Sequence, residues 1–79
     1  MQDDLDSGVR ALFAELFRVD GAALDDEDRR GELRGWDSLA HLTLVAELEV
    51  RFGVTIDMEL ALEIETFGDA KRIVAELRP

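Results

Sequence analysis

Apolar residues recur at three- and four-residue intervals in three stretches of this chain, with a long lapse between the first two. Leu5, Val9, Leu12, Phe13, Leu16 and Phe17 form one stripe, which predicts a first helix from about Asp3 or Asp4 to Phe17. Asp3, Asp4 and Asp6 suit its N-terminus through the helix dipole. Gly8, in its interior, costs that helix about 1 kcal/mol.

Between Arg18 and Asp37 the periodicity disappears. Gly21, Gly31 and Gly35 punctuate this segment and Asp25 to Asp28 form an acidic run. A connection of this length in a small bundle must be functional or packed by its own side chains. Val19, Leu24, Leu33 and Trp36 are its expected anchors, and it should cross the bundle as a structured loop.

Periodicity returns at Ser38 and runs to Arg51 or Phe52, and Gly53 then supplies a helix stop. Val54-Thr55-Ile56 reads as a short extended connection, and Met58 to Glu65 as a short third helix anchored by Leu60, Leu62 and Ile64. Thr66, with Asp69 three residues on, resembles a capping box. It should open a last helix to about Leu77, with Phe67, Ala70, Ile73, Val74 and Leu77 on one side. The expected fold is all-α: a small antiparallel bundle of three main helices and one short one, with a long first loop, as a single domain over residues 1–79.

The second helix carries more apolar surface than a core requires. At about 100° per residue, Leu44, Val45, Leu48 and Phe52 share one side. Leu39, Leu42, Ala46 and Val50 gather on roughly the opposite side, flanked by Glu47 and Glu49. A small bundle cannot wrap both stripes, so the second should lie at least partly exposed beside Ser38. An apolar patch with a charged border has the anatomy of a protein-docking surface. The competing reading folds the long loop over that stripe.

Charge narrows the partners. Nineteen acidic against nine basic residues give a formal charge of −10, which disfavours phosphate backbones and anionic membrane surfaces. Partners with basic patches are favoured through electrostatic steering. The chain has no cysteine, so disulfides and thiolate metal sites are excluded. No stretch reaches the roughly 18 apolar residues of a membrane span, and Met1-Gln2-Asp3-Asp4 does not resemble a signal peptide. These features predict a soluble, cytoplasmic monomer that binds neither nucleic acid nor membrane.

Candidate chemistry centres on Gly35-Trp36-Asp37-Ser38-Leu39. Ser38 falls in the first turn of the second helix, where unpaired N–H groups and the dipole stabilise anionic groups. A serine there can carry a phosphate-linked group, although serine also favours helix starts for hydrogen-bonding reasons alone.

The chain resembles the acyl carrier proteins of the phosphopantetheine-binding carrier family over essentially its whole length. The resemblance rests on Asp37-Ser38-Leu39, the apolar helix to Phe52-Gly53-Val54, the Ile56-Asp57 connection, and Glu63-Ile64-Glu65-Thr66-Phe67-Gly68-Asp69-Ala70. It implies that a separate phosphopantetheinyl transferase attaches 4′-phosphopantetheine from coenzyme A to Ser38, and that the arm's thiol holds acyl groups as thioesters. Asp37 then caps the helix and helps hold a metal ion in the transferase complex. The implied partners are that transferase and acyl-loading, condensing or modifying enzymes. An acyl chain is expected to tuck between the second and third helices, along Leu48, Leu60, Leu62 and Ile64. Two positions depart from common fatty-acid carriers: Ala40 replaces an acid two places after the serine, and Trp36 replaces a small or aliphatic residue. This form leans towards specialised pathways such as polyketide assembly.

Other readings are weaker. An aminoacyl or peptidyl carrier usually has a doubled glycine before the serine, and here Trp36 separates Gly35 from the motif. An unmodified acidic interaction module remains the alternative outside the carrier class. Ser38 has no visible base, and one histidine without cysteine gives an enzyme little to build on. His41 is read as a satisfied, partly buried histidine, and Trp36 as a packing anchor. From Asp26 the loop mimics an EF-hand at Asp28 and Gly31, but Arg30 and Asp37 fall on ligand positions, so no metal site is expected.

Overall fold

A computed structural model describes residues 2–78. It contains α1 (Gln2–Phe17), a 3₁₀ turn at Gly21–Ala23, α2 (Ser38–Phe52), α3 (Met58–Glu63) and α4 (Phe67–Leu77). The helical fold matches the expected one, with α3 ending two residues early and the 3₁₀ turn unanticipated. Asp20 caps that turn by accepting from the Ala22 amide.

The stripes meet in one core. Leu5, Val9, Leu12, Phe13 and Phe17 of α1 pack with Leu44 and Leu48 of α2 and with Phe67, Ala70, Ile73 and Val74 of α4. Phe13 lies at the centre, making edge-on contacts with Phe17, Trp36 and Phe67 at centroid distances of 5.1–5.3 Å. Leu16 packs only partly buried against this core.

The long loop is held by all four predicted anchors. Leu24 and Trp36 are buried, and Val19 and Leu33 pack half-buried beside them. Its backbone also serves α4: the Phe67 and Gly68 amides donate to the carbonyls of Asp28 and Asp26, both at 2.9 Å. Those first-turn amides have no acceptor within their own helix, so the loop satisfies them. The close approach depends on Gly68, where a Cβ would stand 3.0 Å from the Asp26 carbonyl oxygen. Lys71 ties the same loop to α1 through Asp26 and Asp6, at 2.6 and 2.9 Å. Arg10 donates to the Gly21 and Leu24 carbonyls.

Helix boundaries follow local chemistry. Thr66 and Asp69 form the anticipated capping box, and Gly53 closes α2 in the left-handed region at φ 66°. Arg18, just past α1, adopts φ 56° without being glycine. Gly8 has a packing purpose: a Cβ there would lie 2.9 Å from the tip of the Phe52 ring.

Candidate functional site

The site is built at the head of α2. Asp37 is its N-cap, and the carboxylate accepts from the Ala40 amide at 2.8 Å. The Asp37 carbonyl accepts from the His41 amide at 2.9 Å. The Ser38 and Leu39 amides fall among the first helical N–H groups, which have no acceptor within the helix. Ser38 itself is exposed.

Just before this turn Gly35 takes φ 88°, a left-handed conformation that lets the loop reverse and drive Trp36 inwards. Trp36 is 3% exposed. Its indole N–H donates to His41 Nδ1 at 2.9 Å, and His41 Nε2 lies 2.8 Å from the Ala61 carbonyl of α3. Indole is only a donor and a carbonyl only an acceptor, so the imidazole is neutral with its proton on Nε2. His41 is therefore buried and fully bonded, and it joins the loop, α2 and α3 one turn below Ser38.

Of the second stripe, Leu39, Leu42 and Val50 are 74, 66 and 81% exposed, and Ala46 is exposed beside them. The loop does not cover them. The two flanking acids are engaged internally. Glu47 accepts from Arg51 Nε at 3.1 Å, and Arg51 also grips Glu15 of α1 at 3.2 Å. The Arg51 guanidinium holds the Glu15 carboxyl below its usual range through hydrogen bonding and charge. Glu49 Oε2 accepts from the Ile56 amide at 2.8 Å, closing the connection after α2.

A cleft of about 360 Å³ opens between α2 and α3, lined by residues that include His41, Leu42, Val45, Ala46, Ala61 and Leu62. This corrects the expected lining. Leu48 and Ile64 have no exposure and belong to the core, and Leu60 packs half-buried against that core. Leu62, expected as an anchor, is 63% exposed at the cleft's edge. Leu48 keeps to the core face of α2, and the corrections at Leu62 and Ile64 share a cause: α3 spans only six residues, Met58–Glu63. Ile64 is already extended when it turns into the core. Ala46 and Ala61 leave the open space, a signal that small residues on facing helices carry in sequence.

The family model described as "Phosphopantetheine attachment site" matches residues 7–74. The chain belongs to the phosphopantetheine-binding carrier family. It is 41% identical over 73 residues to an acyl carrier protein of Treponema pallidum (strain Nichols), covering 91% of this chain and 92% of that protein. An acyl carrier protein of Helicobacter pylori (strain G27) is 34% identical over 68 residues, 86% of this chain and 87% of that one. A non-reducing polyketide synthase of Emericella nidulans is 39% identical over 71 residues, which are 90% of this chain but only 3% of the synthase. As a family member the chain is a carrier of covalent 4′-phosphopantetheine without catalytic activity of its own. Carriers of this family work with a phosphopantetheinyl transferase and with biosynthetic enzymes.

The residues at the head of α2 fit such a group. A tethered phosphodiester needs an uncovered hydroxyl and favours a helix N-terminus, and the Ser38 position has both. No helix among the described residues is long and apolar enough to cross a membrane.

Proposed function

We propose that Ser38 is the attachment residue and that the chain carries acyl intermediates in fatty-acid or polyketide-type assembly, with a lean towards a specialised pathway. The observation that carries this reading is the exposed Ser38 hydroxyl at the capped start of α2, on the same side of the helix as the cleft. The arm, when bound, supplies a thiol that holds cargo as a thioester. This chain's own residues supply the tether point, the anchored loop that presents it, and a surface for enzymes to grip. Asp37 fixes the turn by capping, and in the transferase complex its exposed carboxylate would contribute to a metal ion held between the two proteins.

The cleft favours acyl over aminoacyl cargo. Both His41 nitrogens are occupied, and most of the remaining lining is hydrocarbon, from Leu42, Val45, Ala46, Ile56 and Leu62 among others, a surface that suits an aliphatic chain.

Leu39, Leu42, Ala46 and Val50 form the docking stripe in this reading, with Glu47 and Glu49 as structural acids along its flanks. The protein works as one monomeric domain in the cytoplasm, loaded by an acyltransferase or ligase and read by condensing or modifying enzymes.

Intact-mass analysis after incubation with coenzyme A and a broad-specificity phosphopantetheinyl transferase tests the attachment residue. Wild type should gain one phosphopantetheine and Ser38→Ala none. A gain that survives Ser38→Ala moves the site elsewhere, and no gain by wild type favours the unmodified interaction module.

A further inference from the structure

Of the four helices α3 is the most weakly held. None of its residues is fully buried, and only Leu60 and Ala61 pack against the core, both half-buried. Met58, Glu59, Leu62 and Glu63 are exposed. So short a helix does not persist on propensity alone, and α3 therefore depends on its attachments. Asp57 caps it by accepting from the Leu60 amide at 2.9 Å. Among the described residues, the one side chain of another helix bonded to α3 is that of His41, which donates from Nε2 to the Ala61 carbonyl at 2.8 Å.

That bond stands in the wall of the cleft. His41 and Ala61 both line it, and of the α2 residues in the lining His41 comes first after Ser38, one helical turn on. A chain hanging from Ser38 meets this join before it reaches Val45 or Ala46 further along α2. The Ala61 carbonyl has a second user, the Ile64 amide at 3.3 Å, which ends α3. The tie to α2 and the last turn of α3 therefore converge on one atom. Trp36 completes the arrangement from the other side. Its indole N–H occupies Nδ1, which leaves the proton of the neutral ring on Nε2, facing Ala61.

We propose that His41 is a positioning residue for cargo: its bond to Ala61 latches α3 against α2 and governs whether a thioester-bound acyl chain is sheltered in the cleft or exposed. This rests on the reading that Ser38 bears the arm and that the cleft takes the chain. Local opening of a lightly buried helix costs far less than global unfolding, so α3 can swing away while α1, α2 and α4 keep their core. Each opening breaks the latch, and the strength of that bond sets how often opening occurs. Losing one such bond raises the open fraction roughly tenfold.

The test loads the carrier with octanoyl or acetyl arms, using the transferase with octanoyl- or acetyl-coenzyme A. Thioester cleavage by hydroxylamine is then followed relative to the same thioester of free pantetheine. In wild type the octanoyl thioester should be cleaved about tenfold more slowly than the acetyl one, which is too short to enter the cleft. His41→Leu should shrink that difference to about twofold or less. His41→Gln keeps a donor for Ala61 and an acceptor for Trp36, and should retain most of the sheltering. Circular dichroism confirms that each variant is folded.

Hydrogen exchange on the unloaded chain reads the latch without an arm. The Ala61 and Ile64 amides should lose about tenfold in protection in His41→Leu and stay within about threefold of wild type in His41→Gln. A merely structural histidine would lower protection of the α4 core amides and leave the locally opening α3 amides unchanged. In wild type the His41 Nε2 proton should match the α3 amides in protection within about threefold, and exchange ahead of the α4 core amides; this measurement needs no variant. Unchanged α3 exchange or octanoyl sheltering in folded His41→Leu, or a ring proton as protected as the α4 core, overturns the latch and leaves the cleft as a cargo site. Equal cleavage of the two thioesters in wild type rejects the cleft as a cargo site, and the latch with it.

Discussion

The indole N–H of Trp36 donates to Nδ1 of His41, a buried bond of 2.9 Å spanning five residues across the start of α2. The imidazole's other nitrogen reaches Ala61 of α3, so replacing the ring strands a donor on one side and an acceptor on the other. His41→Leu should cost about 2–4 kcal/mol, since each orphaned buried group costs about 1–3 kcal/mol. Trp36→Phe removes one end of the bond, and a double-mutant cycle with His41→Leu should return about 1 kcal/mol of coupling in urea unfolding. Coupling near zero would mean that the bond contributes nothing and that the two rings only fill space.

The two faces of α2 should separate stability from recognition. Leu48 is wholly buried and Leu42 is 66% exposed. Leu48→Ala should cost roughly 2–5 kcal/mol, enough to unfold much of a domain this small. Leu42→Ala should melt within about 0.5 kcal/mol of wild type while weakening binding to partner enzymes. Equal damage to stability from both substitutions would contradict a helix with one core face and one free face.

Acid should loosen the join between α1, the loop and α4. Hydrogen bonds from Lys71 and Arg10 hold the Asp6 carboxyl below its ordinary value of 3.8. Burial alone would lower the Lys71 ammonium, but hydrogen bonds to Asp26 and Asp6 outweigh it and leave it raised. For a depressed carboxylate the stabilisation is present above its unfolded value and is lost as pH falls through the folded one. Melting curves between about pH 5 and 2 should therefore fall more steeply for wild type than for Asp6→Asn. Parallel curves would show that Asp6 contributes no linked protons.

Gly68→Ala should destabilise despite alanine's better helix propensity. The new Cβ would meet the backbone oxygen and the Cβ of Asp26, each at 3.0 Å, and a backbone atom held by its own hydrogen bond cannot yield cheaply. We expect a loss of about 1–3 kcal/mol by chemical denaturation. A gain would mean that the loop simply shifts away.

Much of this arrangement is legible in the chain because local rules and packing agree. Thr66 and Asp69 announce α4 through reciprocal hydrogen bonds, Gly53 ends α2, and Trp36 and Leu24 anchor a loop that otherwise lacks periodicity. What escapes a linear reading depends on contacts between distant segments. Gly8 looks like a defect in α1 until Phe52 arrives from α2. Glu47 and Glu49 look like free border acids until Arg51 and the Ile56 amide are placed. The cleft was legible as a place but not as a set of residues, because six residues of helix are too few for periodicity to say which way Leu62 and Ile64 turn. The exposure of Ser38 follows from the cap and from Gly35, both visible beforehand.

The chain has one tryptophan and no tyrosine, and that tryptophan is sealed beside Phe13 and His41 two residues ahead of Ser38. Its ultraviolet emission is thus an unlabelled, single-source signal from the junction between loop and helix. Loosening of that junction by denaturant will shift the light to the red without any dye being attached.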